Sequence, residues 1–150
     1  LMILILVMIN SCSEENKQTT NSCDERNEKA RVEKWYEYSH SLAEYRKLQP
    51  DRPILVFYNT DWSIHGAIAM PQMREARFFD LFTAHRVLPL IADFTDTDGD
   101  VYKEFRLIKP DGVGVFCLAL ARPDKEIVWY RVNGVSSDDL YEFLKTELSK

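Results

Sequence analysis

The 150-residue chain is poor in cysteine, with three in all: Cys12, Cys23 and Cys117. No two of them stand three positions apart, so the sequence contains no Cys-x-x-Cys pair. Such a pair supplies the attacking and the resolving thiol of dithiol disulfide-exchange sites. Any thiol chemistry of this chain would therefore have to use isolated cysteines.

The chain also lacks a basic stripe or a Lys/Arg cluster, and its formal net charge is −5 with a pI of about 5.2. Since nucleic-acid binding depends on clustered positive charge, the sequence excludes that function class. Hydrophobic residues make up 45% of the chain, and three Trp, seven Tyr and eight Phe are among them. This composition and length predict one domain with a core of its own.

The apolar run at the start, Leu1–Ile9, has nine residues, whereas a membrane-spanning helix needs about 20. It is typical of the core of a secretion signal. The residues that follow it, Ile9-Asn10-Ser11-Cys12, resemble a bacterial lipobox, in which the cysteine is lipidated. We expect residues 1–11 to be a signal peptide whose start is truncated or uses an unusual codon, because Leu1 and the absence of a basic segment depart from the usual pattern.

Polar residues without an aliphatic side chain follow Cys12 up to about Asn27. They predict a disordered tether over residues 12–27, between the lipid and a domain at residues 28–150. Lipidation of Cys12 would anchor the protein in the bacterial cell envelope, facing the periplasm or in the outer membrane. That compartment is oxidising, which leaves Cys23 and Cys117 as candidate redox thiols.

The first part of the domain predicts a helix. Apolar residues and one serine recur at spacings of three and four over Glu28–Leu48: Val32, Trp35, Ser39, Leu42 and Tyr45. This pattern indicates an amphipathic helix with one stripe towards the core, ended by Gln49–Pro53. His40 lies among polar neighbours beside the stripe, and we interpret it as structural.

The central part predicts strands and helices in alternation. Ile54–Tyr58 is a run of strand formers, and Ser63–Thr83 is helix-compatible, in two pieces, with a kink at Pro71. Arg86–Phe94 is a second apolar strand, and Pro89 places its start at an edge or a bend.

The aspartates of Thr95–Asp100 resemble the start of an EF-hand calcium loop. With Asp96 first, that loop needs Gly at its sixth position and Glu at its twelfth, but Val101 and Leu107 stand there. We therefore predict a turn that caps a short helix, Val101–Phe105.

The last part predicts a hairpin and a helix. Gly112–Leu120 and Glu126–Val132 form a β-hairpin, and Ser136–Asp139 caps a final helix that runs to Leu148. The order helix, strand, helix, strand, helix, hairpin, helix predicts an α/β domain with a central mixed sheet flanked by helices.

Several segments, in this order and spacing, resemble the thioredoxin-like superfamily, and within it the family of the C-terminal domain of the thiol:disulfide interchange protein DsbD: Val56–Trp62, Val87–Asp96, Gly112–Val115 and Gly134–Leu148. The resemblance covers most of residues 50–148. It implies a thioredoxin-like fold and a periplasm-facing domain. It also implies a site where Trp62 precedes the helix and a peptide-binding groove lies beside it.

The chain departs from that family at four functional positions. Ser63 matches the attacking cysteine and Gly66 the resolving one, and neither can form a mixed disulfide. The buried acid five residues before Trp62 is replaced by Phe57, and the cis-proline that faces the cysteines matches Gly114. The resemblance therefore predicts the scaffold without its thiol chemistry.

Other chemistry at these residues has little support. Ser63 and His65 resemble a nucleophile and a base, but residues two apart on a helix point to different sides and no acid is placed to orient the histidine. Asp61, His65 and Met70 are a poor set of metal ligands. We expect no metal and no cofactor, and interpret Ser63 as the cap of the helix with His65 exposed at its tip.

Cys117 has two interpretations. On an apolar central strand it is predicted to be a small buried core residue. Alternatively it is a relocated redox thiol, or the disulfide partner of Cys23 if their Cα atoms come within about 7 Å.

The leading hypothesis is a lipid-tethered, non-catalytic thioredoxin-like module that binds a protein or peptide partner. The predicted binding groove consists of Trp62, Ser63, Ile64 and His65 with the facing loop at Val113 and Gly114. The alternative is a thiol-disulfide oxidoreductase, acting in redox homeostasis of the envelope through a relocated cysteine. A third hypothesis is a domain kept for assembly with a redox or respiratory partner.

Overall fold

The structure, a computed structural model, describes residues 31–114 and 116–150. Its strands are β1 (Tyr36–Glu37), β2 (Ile54–Asn59), β3 (Leu88–Asp93), β4 (Cys117–Ala121) and β5 (Val128–Arg131). Its helices are α1 (Leu42–Leu48), α2 (Ile64–Met73), α3 (Ala76–Ala84), α4 (Asp100–Ile108) and α5 (Ser137–Leu148). The predictions for the signal peptide, Cys12, the tether and Cys23 lie outside the described residues.

The five strands form one mixed sheet in the order β1-β3-β2-β4-β5. β1 and β2 both pair in parallel with β3, whereas β4 runs antiparallel to β2 and to β5. The sheet with helices on its two faces confirms the predicted α/β thioredoxin-like architecture. In a parallel pair the carboxyl ends of the strands meet at one edge, so the loops after β2 and β3 lie next to each other.

Successive side chains of β2 point to opposite faces of the sheet, and each face has its own hydrophobic core. Leu55 and Phe57 belong to the core that includes residues of α2, α3 and α5. Ile54, Val56 and Tyr58 belong to the core that includes residues of α1 and α4. The sheet therefore lies between two layers of helices.

The predicted helix over Glu28–Leu48 is wrong for its first part. From 31 to 41 the chain is not helical and contains the short strand β1, and only Leu42–Leu48 is helical. The Tyr38 N–H donates to the Ile91 carbonyl at 2.9 Å, and the Trp35 Nε1–H donates to the Met73 carbonyl at 3.2 Å. Val32, Trp35 and Tyr38 are three residues apart and are buried. Because Trp35 and Tyr38 contact residues far along the chain, this spacing does not indicate a helix here.

Two further boundaries differ from prediction. The strand predicted at Gly112–Leu120 begins only at Cys117, because Pro110–Val113 forms a turn in which Gly112 has φ +81°. Glycine adopts a positive φ readily, and a residue with positive φ does not have the extended geometry of a strand. The helix predicted at Val101–Phe105 is longer, Asp100–Ile108, and the Asp96–Gly99 turn precedes it as expected.

The remaining elements confirm the sequence predictions. The segment after β2 forms two helices. Pro71 lies inside α2, two residues before its end at Met73, and Arg74 and Glu75 separate α2 from α3. Pro89 lies in the half of β3 that β1 does not cover. Ser136 caps α5, accepting a hydrogen bond from the Asp139 N–H at 3.1 Å. None of the described helices combines the length and the apolar character that a membrane span requires.

The burial of β2 predicts a large cost for shortening its side chains. Leu55→Ala is expected to lower the free energy of unfolding by about 2–5 kcal/mol, because it leaves a cavity in the core. Leu107→Ala makes the same chemical change at a residue that is 86% exposed, and is expected to stay within about 0.5 kcal/mol of the parent. Urea denaturation followed by circular dichroism measures both, and similar losses in the two variants would contradict the described core.

Candidate functional site

Ser63, which precedes α2, has its hydroxyl inside the protein rather than on its surface. The residue is 4% exposed, and its Oγ accepts a hydrogen bond from the Gly66 N–H at 3.0 Å. Its own N–H donates to the Thr60 carbonyl at 3.3 Å. Ser63 is therefore the N-cap of α2, as predicted. Among the described residues no hydrogen bond joins Ser63 to His65, although a nucleophile and its base would require one.

A side chain at position 66 has no room. A Cβ built on Gly66 would lie 1.7 Å from the Oδ1 of Asn59 and 2.7 Å from its Cγ. The Asn59 Oδ1 is buried and has no hydrogen-bond partner among the described residues. The carboxamide of Asn59 therefore fills the space that a side chain at position 66 would need.

The other two departures from the family are also built into the packing. Phe57 is fully buried, with its ring edge-on to Trp35 at 6.4 Å between centroids, so an apolar contact stands where the resemblance places an acid. A Cβ on Gly114 would lie 2.9 Å from the Nε of Arg131. The described residues contain no cis peptide bond, and Gly114 does not reproduce the proline of the family.

Three large apolar side chains are exposed around the start of α2, and we call them the apolar surface: Trp62 at 62%, Ile64 at 69% and Ile68 at 57%. Ile64 and Ile68 are four residues apart and share one side of the helix. The Trp62 and His65 rings each lie 5.8 Å from the ring of Phe116, between centroids. Phe116 thus supports this surface from the loop before β4.

The predicted groove residues are brought together only in part. Trp62, Ile64 and His65 are exposed side by side, whereas the Ser63 side chain is buried beneath them. Val113 is half-buried and packs against the core on the α1 and α4 side, and Gly114 lies against Arg131. In the described contacts Phe116, rather than Val113 or Gly114, faces Trp62.

Sequence reasoning missed three residues of this site: Asn59, Ile68 and Phe116. The buried residues of α2 are Gly66, Ala69 and Met73, so Ile64 and Ile68 lie on its exposed side. The small residues Gly66 and Ala69 were the available signal, because close packing of a helix on a sheet favours small side chains at the contact. No signal in the sequence marks Asn59 as the partner of Gly66.

Cys117 is buried on β4, opposite Tyr58 of β2. This confirms its interpretation as a core residue. Removal from water raises the pKa of the Cys117 thiol to about 12, because burial disfavours the thiolate. A nucleophilic cysteine needs the opposite environment, with a lowered pKa and access to solvent.

A pocket of about 400 Å³ lies elsewhere, between α1 and α4. Its Glu104 carboxylate accepts hydrogen bonds from the Tyr38 hydroxyl at 2.8 Å and from the Leu42 N–H at 2.9 Å. These bonds tie the N-terminal segment to α4, so the polar groups of the pocket have a structural role. Within residues 31–114 and 116–150, no group of three or more His, Cys, Asp and Glu side chains is arranged to hold a metal ion.

Solved structures with a thioredoxin fold resemble this chain. The J-Trx1 fragment of ERdj5 superposes with a TM-score of 0.56 at 16% identity, over 77% of this chain and 52% of the fragment. Thioredoxin O2 from Arabidopsis thaliana in its oxidised state superposes with a TM-score of 0.50 at 15% identity, over 76% of this chain and 94% of that protein. The match thus spans about half of the ERdj5 fragment, and identities this low establish the fold alone.

Comparisons of the sequence with protein-family models and with curated proteins give no match. The thioredoxin-like fold is therefore established by structural similarity, and the finer resemblance to the DsbD family rests on the sequence segments alone.

The contact of Gly66 with Asn59 predicts coupling between the two positions. Gly→Ala in a helix ordinarily adds up to about 1 kcal/mol of stability, but Gly66→Ala is expected to cost about 1–2 kcal/mol because the carboxamide must move. In an Asn59→Ala background the same substitution should be stabilising. Urea denaturation of the four proteins measures the coupling, and an equal effect in both backgrounds would show that the contact is absent.

The raised pKa of Cys117 predicts a loss of stability at alkaline pH. The folded thiol titrates about pH 12 and the unfolded one near 9.0, so its contribution is complete below pH 9 and is lost as the pH rises towards 12. Between pH 9 and 10 the protein should lose about 1 kcal/mol more than Cys117→Ala. Urea denaturation at pH 7, 9 and 10 tests this, with Cys23→Ala as the control that should follow the parent.

Proposed function

We propose that this protein is a non-catalytic thioredoxin-fold module that binds a protein or peptide partner on the apolar surface of Trp62, Ile64 and Ile68. The proposal rests on the packing of Ser63 and Gly66, the two residues that match the family's cysteines. Ser63 is buried and caps the helix, and the space beside Gly66 is filled by Asn59. Disulfide exchange needs an accessible thiolate and a second thiol to resolve the intermediate, and this arrangement offers neither.

The apolar surface supports a binding role. Large apolar side chains in water are unfavourable, and a contiguous group of them beside polar residues is typical of an interaction site. Trp62 is the strongest candidate for an anchor, since tryptophan is enriched among the residues that dominate binding energy. Its ring already rests on Phe116, so little side-chain freedom remains to be lost when a partner covers it.

The setting proposed for this module is the bacterial cell envelope. The support is the sequence: the apolar segment Leu1–Ile9, the lipobox-like residues up to Cys12, and the polar residues that follow. A lipid on Cys12 would hold the domain near a membrane without embedding it. The proposed partner is accordingly a protein or peptide of the envelope.

An insulin-reduction assay separates this proposal from thiol-disulfide oxidoreductase activity. We expect the 150-residue protein to show no reduction above background, and Cys23→Ala with Cys117→Ala to behave identically. Activity that disappears with either cysteine would mark a relocated thiol site and would refute the non-catalytic proposal.

Photocrosslinking from Ile64 tests the binding surface directly, because Ser63 is buried and unsuitable for a probe. A photoreactive residue at Ile64 is expected to capture a partner in the envelope of the producing bacterium, and Trp62→Ala should abolish the capture. The matched control is the same probe at Leu48, which is 64% exposed and lies before β2, at the other end of that strand. Equal capture from both positions would contradict a specific surface.

A further inference from the structure

Four exposed aspartates lie on one side of the apolar surface, at the end of β3 and in the loops after β2 and β3. The Asp61 N–H donates to the Thr95 Oγ1 at 2.9 Å, which joins the loop after β2 to the loop after β3. The Thr95 hydroxyl in turn donates to the Asp93 carboxylate at 2.6 Å. Asp96 follows in the same loop, and its carboxylate accepts a hydrogen bond from the Asp98 N–H at 2.9 Å. These four exposed aspartates form what we call the acidic side: Asp61, Asp93, Asp96 and Asp98.

Two cationic side chains lie on the other side, along the loop that carries Phe116. The Lys109 ammonium donates to the Val113 carbonyl at 2.7 Å. The Arg131 guanidinium lies against Gly114, and the Val132 N–H donates to the Phe116 carbonyl at 3.2 Å. We call Lys109 and Arg131 the basic side. Lys109 lies in the loop before β4, and Arg131 is the last residue of β5. The aspartates of the acidic side lie instead at the end of β3 and in the loops after β2 and β3.

None of these six charges is neutralised within the protein. In the part of the chain that the structure describes, neither the four aspartates nor Lys109 and Arg131 take part in an ion pair. The Lys109 ammonium also donates to the Pro110 carbonyl and lies 5.9 Å from the centroid of the Phe105 ring. The exposed Asp111 stands in the same loop, so the charges on this side sum to +1, against −4 on the acidic side. The strand order β3-β2-β4-β5 places the acidic side, the apolar surface and the basic side one after another along the same end of the sheet.

From this order we propose that the partner presents one large apolar side chain between a Lys or Arg and an Asp or Glu, within one short segment. The proposal rests on the proposed binding function and names its partner's chemistry. The apolar side chain covers Trp62, the cation faces the acidic side, and the anion faces the basic side. Complementary charge of this kind favours encounter and fixes orientation.

Other occupants fit the same observations less well. A second copy of this chain would satisfy the charges, but three exposed apolar side chains fall short of the roughly 800 Å² per partner that a standard stable interface buries. An anionic membrane would be repelled by four unpaired aspartates. A short segment of another protein needs only the area that this surface provides.

Fluorescence anisotropy with short labelled peptides tests the proposal on the 150-residue protein. The probe has a central Phe between two Lys and two Glu, and its matched peptides replace both flanks by Gln, both by Lys, both by Glu, or the Phe by Ser. We expect the mixed-charge peptide to bind about five-fold more tightly than the Gln peptide. The Ser peptide should not bind, and the charge preference should vanish in 1 M salt, where the Debye length is about 3 Å.

Variants of the two sides provide the controls. Asp61→Lys with Asp96→Lys should transfer the preference to the peptide with Glu on both flanks, and Arg131→Glu should transfer it to the peptide with Lys on both flanks. Asp51→Lys and Lys47→Glu make matched changes at exposed residues near the start of β2, at its other end, and should leave the order of the peptides unchanged.

The outcomes separate this inference from the proposed function. Equal binding of all Phe peptides would overturn the charge pattern and keep the binding surface. No peptide binding, with capture still obtained from Ile64, would overturn the segment chemistry alone. Loss of that capture as well would overturn the proposed function. Concentration-dependent dimers abolished by Trp62→Ala, or binding to phosphatidylglycerol vesicles, would replace the proposed occupant by a second copy or a membrane.

Discussion

The burial of β2 is the constraint on which the rest of the structure depends. Its residues from Ile54 to Tyr58 are buried and alternate between the two cores, and the strand is paired along both edges, to β3 and to β4. Because β2 is packed on both faces and paired along both edges, the position of its carboxyl end is also fixed. The turn from Thr60 to Ser63 and α2 start from that end, and they carry Trp62, Ile64 and Ile68 of the apolar surface.

At this end of β2 the polar groups of Asn59 and Ser63 are buried, whereas Trp62, Ile64 and Ile68 are exposed. The Ser63 hydroxyl and the Asn59 carboxamide point to the interior, where they cap a helix and fill the space beside Gly66. Because the Asn59 carboxamide occupies the space beside Gly66, introducing a larger residue such as cysteine at position 66 would require Asn59 to change as well.

The sequence predicted the elements whose signals are local. β2, the two helices after it and α5 depend on apolar runs, Pro71 and the Ser136 cap, all of which lie within or beside the element that they define. The segment from 31 to 41 could not be predicted in this way, because its hydrogen bonds go to Met73 and Ile91, far along the chain. A spacing of three suits a helix, but it equally suits an extended chain that crosses the sheet edge and buries Trp35 and Tyr38 in different cores.

The same limit applies to the site. Ser63 was predicted as a cap because its role depends on a residue three positions away, whereas Gly66 meets Asn59 across a strand-to-helix turn. Ile64 and Ile68 show why apolar spacing alone does not identify a buried face: Gly66 and Ala69 allow the other side of α2 to approach the sheet, and the two isoleucines remain in water.

The apolar surface is attached to the scaffold through contacts on both of its sides. Thr95 joins the start of α2 to the loop after β3, and Phe116 joins Trp62 to the loop before β4, whose backbone is hydrogen-bonded to Val132 beside β5. The apolar centre and its two charged sides are therefore positioned by the same sheet end. For the partner that we propose, this arrangement would keep small the ordering cost that weakens binding by mobile loops. The packing of Ser63 and Gly66 and the exposure of Trp62 and Ile64 thus have one origin, the buried strand that fixes where α2 begins.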